Sequence, residues 1–271
     1  MQGLLLSSGD NLPEIGLGLY KVPADKTEAL VAHALEVGYR LIDGASFYEN
    51  EAQAGKAIRE SGIPREEIFA TTKFWLEDLG FEKTKEAFFR SLELMGLDYL
   101  DSYMIHWPAP KRDLYIESWR AMMELRNEGL IRSLGVSNFH THHLQRIFDE
   151  FDEYPAINQV ELHPWLIQKD LREFHSSHGI ATQSWSPLAR GQLLEEPKVL
   201  KLAEAKGVSV AQLIIRWHIQ IGSSVIPKSN SPARISENYD VFGIELSDAE
   251  MQTISSLDRG YRTGVDPEDR N

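Results

Sequence analysis

Read for its apolar and polar positions, the chain repeats one unit. Short β-type runs recur at Gly16–Tyr20, Tyr39–Asp43, Ile68–Lys73, Tyr99–His106, Arg132–Ser137, Ala156–Glu161, Ala181–Trp185 and Ser224–Pro227. Amphipathic helical stretches follow them: Lys26–Val37, Glu51–Glu60, Glu82–Met95, Leu114–Asn127, Thr141–Glu150, Lys169–His178, Ser209–Gln220 and Pro232–Val241. Eight β/α units in succession predict a parallel sheet, since a parallel connection needs a crossover. Closing that sheet on itself gives a (β/α)8 TIM barrel, and the alternative is an open doubly wound sheet. Ahead of the first unit, Leu4–Leu6 and Leu12–Ile15 flank the turn-forming Ser8-Gly9-Asp10-Asn11, which predicts a β-hairpin.

Length and composition narrow the picture. The 271 residues are close to the roughly 250 of a single α/β barrel, and no linker or low-complexity stretch interrupts them. One barrel domain over residues 1–271 is therefore expected. No segment has the roughly 20 apolar residues of a membrane span, and the start lacks the basic and apolar regions of a signal peptide. With no cysteine in the chain, disulfides, Cys-ligated metals and a thiol nucleophile are excluded, and a cytoplasmic location is expected. Twenty-eight Lys and Arg against 41 Asp and Glu leave a net charge of −13. That charge argues against nucleic acid or an anionic membrane as partner, and it requires a local basic cluster for any anionic ligand. No long apolar stripe calls for a partner subunit, so a monomer is expected.

The ends of the β-type runs carry the chemistry. Asp43, Lys73, His106, Ser137-Asn138, Gln159, Trp185-Ser186 and Lys228 all stand at or near the point where an apolar run stops. In a barrel these positions converge on the face where barrel active sites lie. Tyr48 follows Asp43 closely. A tyrosine is a weak acid at neutral pH, and a neighbouring ammonium lowers its pKa. Asp43 can hold Lys73 charged and aimed, and His106 can donate to a carbonyl oxygen. Together they make a kit for protonating an oxygen as charge develops on it. Carbonyl reduction by hydride needs such assistance and no metal.

The same residues resemble a known family. Asp43 and Tyr48 in IDGASFYENE, Lys73 in TTKFW, and His106-Trp107-Pro108 in YMIHWPAP match the aldo-keto reductases. So do LGVSNF, NQVELHP, SWSPLARG and VIPKSNSPARISEN, over nearly the whole length. Within that family the chain is similar to the bacterial 2,5-diketo-D-gluconate reductase-type members, on account of Trp185 and a compact C-terminal end. The resemblance implies an NADPH-dependent reductase of small ketones, ketoaldehydes or keto-sugar acids. Tyr48 would donate the proton, with Lys73 and Asp43 assisting and His106 orienting the carbonyl. Ser137, Asn138 and Gln159 would hold the nicotinamide carboxamide, with Trp185 stacked on the ring. Ser186, Leu188 and Gly191 would follow the pyrophosphate. Lys228, Ser229 and Arg234 would grip the adenosine 2′-phosphate, with Glu237 and Asn238 near the adenine. That last set is the basic cluster the global charge demands.

Two departures stand out: Gly44 where the family usually has Thr, and Glu49 where Gly is common. Both bear on rate rather than reaction type. Tyr20, Phe47, Trp75 and Trp107, with Phe139 and Trp165 as further candidates, suit an aromatic substrate pocket. The polar tail Tyr261–Asn271 is expected to fray and leave that pocket open. Gly16-Leu17-Gly18 is not a dinucleotide fingerprint, because Lys21 stands where the third glycine is needed. His140, His142 and His143 read as a solvated helix start rather than a metal site, no carboxylate lying at useful helical spacing. Two other functions remain as alternatives: a cofactor-binding regulatory subunit with little turnover, and a hydrolase using Asp43 and Glu161 as paired carboxylates.

Overall fold

The computed structural model describes residues 3–271. A two-stranded antiparallel hairpin comes first, β1 (Gly3–Leu5) and β2 (Asn11–Pro13), with Leu4 opposite Leu12. Eight parallel strands follow: β3 (Leu17–Gly18), β4 (Leu41–Asp43), β5 (Phe69–Phe74), β6 (Leu100–Ile105), β7 (Ile131–Ser137), β8 (Ile157–Glu161), β9 (Ala181–Trp185) and β10 (Ser224–Val225). They pair in sequence order from β3 to β10. The ring closes where Ile15 bridges Val225 in parallel, through Val225 N–H to Glu14 O and Gly16 N–H to Val225 O, both 2.9 Å. Gly18 N–H adds a bond to Pro227 O, and a Cβ on Gly18 would lie 2.9 Å from the Ile226 carbonyl, so glycine permits the seam. This is the (β/α)8 barrel, and the open sheet is excluded.

The eight helices after the strands are α1 (Ala24–Val37), α2 (Glu51–Glu60), α3 (Phe81–Met95), α4 (Tyr115–Asn127), α5 (Thr141–Phe151), α6 (Lys169–Ser177), α8 (Val210–Gln220) and α9 (Pro232–Tyr239). Their apolar faces pack on the outside of the strands, with Trp119, Trp217 and Phe88 fully buried. Inside the barrel's N-terminal end, Leu41, Phe69, Met104, Ile157 and Ile226 form a second cluster. Leu6 and Leu12 of the hairpin segment cap it, so the hairpin plugs the end opposite the site.

Two helices lie outside the repeat. α7 (Pro197–Lys206) sits in the loop after β9, and α10 (Asp248–Ser255) follows α9. Pro197 at the first helical turn and Gly207 as left-handed cap delimit α7, while Ser247 and Glu250 form a capping box on α10.

The tail departs from expectation. It does not fray but folds back across the C-terminal mouth of the barrel. Arg259 and Tyr261 donate their backbone N–H groups to Trp165 O. Thr263 and Gly264 bond Glu161. Asp266 meets His140, and Glu268 meets His142. Asn271 accepts the Lys111 N–H at 2.7 Å. The polar residues that suggested solvent find partners on distant loops, of which Glu161 is buried. Among the described residues no helix is long and apolar enough to cross a membrane.

Candidate active site

The strand ends open into one cleft of about 840 Å³, walled at one end by Tyr48, Trp75, His106 and Trp107 and at the other by Lys228, Arg234 and Asn238. At its floor Lys73, the fully buried cation of β5, reaches both carboxylate oxygens of Asp43 and the Gly44 carbonyl, each at 2.8 Å. Burial pulls the Lys73 ammonium below its ordinary pKa, although the charge and hydrogen bonds of Asp43 push it back up. The ammonium lies 5.3 Å from the Tyr48 ring centre.

Tyr48 stands in a 3₁₀ turn (Ser46–Tyr48) that Asp43 and Gly44 lead into. Its phenol does not behave as the sequence suggests. Burial, then the negative charge of Asp43 and the neighbouring Tyr20, hold its pKa well above that of a free tyrosine. The Lys73 charge, shared with Asp43 at 2.8 Å, does not outweigh these effects. Tyr48 is therefore a neutral, protonated phenol rather than a phenolate. The His106 ring lies edge-on to Tyr48 with centres 5.7 Å apart, and edge-on to Trp75 at 4.9 Å. Burial first, then Lys73 and Arg270, keep it uncharged well below the usual imidazole pKa. Its Nδ1 is sealed from water with no partner among the described residues, so Nε2 is the nitrogen it offers the cleft.

The next wall is a hydrogen-bond chain. Asn138 donates to His106 O and Ser137 Oγ, both at 3.0 Å, and its Oδ1 accepts the Trp185 indole N–H at 2.9 Å. Ser137 Oγ donates to Gln159 O. Gln159 donates to Asp43 and to Gln183, both at 2.7 Å. These amide hydrogens are already used within the protein, so Asn138 and Gln159 face the cleft chiefly as acceptors. Asn138 and Ser186 both hold left-handed backbone, φ 64° and 53°. Such non-glycine strain collects at functional sites.

Ser186, Leu188 and Gly191 line the middle of the cleft. Ser186 Oγ accepts the Arg190 N–H at 3.1 Å, and Gly191 turns with φ 92°. At the far end Lys228 is exposed, and burial together with the charge of Lys21 lowers its pKa. Lys21 is close enough to repel the Lys228 ammonium, and among the described residues neither pairs with a carboxylate, which suits an anion. Arg234 and Ser229 line the same end at the start of α9, where Ser231 Oγ caps the Arg234 N–H and Ser229 Oγ caps the Ser231 N–H. Glu237 and Asn238 line that end as well.

Of the aromatic candidates, Tyr20, Phe47, Trp75 and Trp107 line the cleft, with Phe47 stacked on Trp75 at 4.0 Å. Phe139 does not: it is fully buried core against Tyr115 and His143. Nor does Trp165, whose ring instead stacks under Arg259 at 4.1 Å and holds the start of the tail. Glu161 is spent as well. Burial raises its pKa, but hydrogen bonds from His163, Thr263 and Gly264 outweigh it and leave the carboxyl below its ordinary range. It is a tail anchor rather than half of a carboxylate pair with Asp43.

A profile of the Aldo/keto reductase family matches residues 14–259. The methylglyoxal reductase DkgA of Yersinia pestis is 46% identical over 271 residues, covering 99% of this chain and 97% of that protein. A crystal structure of a Gox0644 mutant in complex with NADPH superposes with a TM-score of 0.95 at 42% identity, covering 99% and 98% of the two chains. The Bombyx mori aldo-keto reductase in complex with NADP gives 0.90 at 33% identity, covering 98% and 96%. The chain belongs to the aldo/keto reductase family. It is thus an oxidoreductase, and the hydrolase alternative falls.

Within this aldo/keto reductase the two departures now have physical readings. A Cβ on Gly44 would find Thr71 O at 3.4 Å, an ordinary contact, so glycine is not sterically required there. Glu49 holds φ 56°, the left-handed region glycine favours, so its side chain carries local strain. Lys21, Arg190, Gly264, Val265 and Arg270 also line the cleft. The sequence reading missed them. Lys21 and Arg190 share a left-handed backbone that no local pattern announces, and the other three arrive with the tail. The tail also supplies the carboxylate that helical spacing around His142 and His143 did not: their ring nitrogens and Glu268 cluster within 4.8 Å. His143 Nδ1 accepts the His140 N–H, however, so in the neutral ring Nε2 carries the proton and offers no lone pair to a metal.

Proposed function

We propose that the protein reduces aldehyde and ketone carbonyls to alcohols with NADPH. The observation that carries this reading is a neutral phenol and a neutral imidazole, Tyr48 and His106, facing one cleft over a buried Lys73–Asp43 pair. The cleft fits a dinucleotide phosphate along its length. The Lys21 and Lys228 ammonium groups and the Arg234 guanidinium suit a phosphate, Ser186, Leu188 and Gly191 suit the pyrophosphate, and the acceptor oxygens of Asn138 and Gln159 suit an amide. Lys228, Ser229 and Arg234 favour NADPH over NADH.

When bound, a reduced nicotinamide supplies hydride. The chain supplies the rest. His106 donates one hydrogen bond to the carbonyl oxygen and fixes its direction. Tyr48 gives its proton to that oxygen as negative charge develops on it. Lys73, held by Asp43 at 2.8 Å, stabilises the phenolate that remains. Phe47, Trp75 and Trp107 exclude water from the reacting end.

The substrate is a small carbonyl compound: a ketone, a ketoaldehyde or a keto-sugar acid. The test is NADPH consumption against methylglyoxal, a keto-ester, a keto-sugar acid and an aromatic aldehyde. Turnover on at least one, dependent on NADPH, supports the reading. NADPH binding without turnover on any would favour the regulatory alternative.

A further inference from the structure

The tail carries a cation to the reacting end of the cleft. The Arg270 guanidinium lies 5.7 Å from the Trp75 ring centre and 5.3 Å from that of Trp107. It lines the same cleft as Tyr48 and is close enough to His106 to lower that group's pKa. Its Nε–H is sealed from solvent without an acceptor, and among the described residues no carboxylate forms an ion pair with it.

Much of the rest of this segment is tied down. His140 takes Asp266 at 3.3 Å, His142 takes Glu268 at 3.1 Å, and Asn271 bridges Lys111 N–H to Glu268 O. Asn271, the residue beside Arg270, therefore fixes the turn that aims the guanidinium. Neighbouring arginines, Arg112 and Arg262, each have an acidic partner within 4.0 Å, Glu77 and Asp266 respectively. An unpaired guanidinium on two indoles, in a protein of net charge −13, is an anion seat left open.

We infer that Arg270 is a specificity-determining residue that pairs with a carboxylate on the substrate. The inference rests on the reductase reading of the same cleft. Trp75 stands between the two ends of such a substrate, with His106 against its edge and Arg270 over its ring. The preferred substrates are therefore aldehydes and ketones whose carboxylate is a few carbons from the carbonyl. Neutral carbonyls of equal length enter the cleft without that anchor.

The test compares 4-oxobutanoate with butanal, which share a chain length and a reacting group. kcat/KM is measured for both with wild type, Arg270→Gln and Arg270→Lys. The ratio of acid to neutral kcat/KM is expected to fall by about tenfold or more in Arg270→Gln, chiefly through KM for the acid, and to recover in part in Arg270→Lys. Mere loosening of the tail would move both substrates together and leave the ratio unchanged. Butanal turnover with an unchanged ratio in both variants overturns the role of Arg270 and leaves the reductase reading standing. No NADPH-dependent turnover of either aldehyde by wild type overturns both.

Discussion

Thr263 gives both its backbone N–H and its hydroxyl to one oxygen of Glu161, each at 2.6 Å. Glu161 closes β8, so this contact ties the tail to the rim of the barrel. Its carboxyl is held below its ordinary value, and the stability it contributes is present above the unfolded glutamate pKa of about 4.3. That stability is lost as pH falls through the lower folded value. Protection of the Thr263 and Gly264 amides from hydrogen exchange, relative to their intrinsic rates, should be high at neutral pH and fall below about pH 4.3. Glu161→Gln should lower it at neutral pH, with a stability loss of about 1–3 kcal/mol. Unchanged exchange in the variant would show that the tail is held elsewhere.

Gly264 passes over Trp185 so closely that a Cβ would lie 2.7 Å from the indole and 2.8 Å from Glu161. Gly264→Ala should displace the tail. Tryptophan emission should shift, and the amides of residues 263 and 264, which bond Glu161, should lose exchange protection together. Retained protection would contradict the close approach.

Lys73 and Asp43 are a buried pair whose separation is costly. Lys73→Met or Asp43→Asn alone should destabilise the fold by about 3–5 kcal/mol. The double variant should cost clearly less than both single losses together, since no lone charge remains buried. Additive losses in chemical denaturation would mean the pair is solvated.

The pH dependence of reduction follows from two directions. His106 charges only well below the ordinary imidazole pKa, and Tyr48 ionises only well above that of a phenol. kcat for reduction should therefore show no limb from His106 near pH 6.5 and none from Tyr48 near pH 10, about the ordinary imidazole and phenol values. A limb near either ordinary value, removed by His106→Asn or Tyr48→Phe, would contradict the burial argument.

Much of this was legible in the sequence, for reasons that differ by residue. The eight-fold period placed Asp43, Lys73, His106 and Lys228 at strand ends, and a barrel brings strand ends to one face whatever the loops do. α7 and α10 were passed over because they stand outside the period, although Pro197 and the Ser247–Glu250 box mark them. The tail was misread because its partners, Glu161, His140 and Lys111, lie 100 to 160 residues away. Polar residues that satisfy a distant carboxylate look the same in sequence as polar residues that meet water. The Tyr48 phenol was misjudged for a related reason: adjacency to Lys73 was readable, whereas burial and the prior claim of Asp43 on that ammonium were not. Phe139 and Trp165 were aromatic at strand ends, but one turned into the core and the other under the tail.

We propose that Tyr48 donates the proton in a cleft that binds NADPH independently of it. The most direct measurement is Tyr48→Phe, comparing NADPH binding, read by quenching of tryptophan emission, with turnover of the best substrate. A proton-donor role for Tyr48 predicts binding within a few-fold of wild type and turnover lower by about 10²–10⁴-fold. Turnover retained within a few-fold in the variant would contradict it.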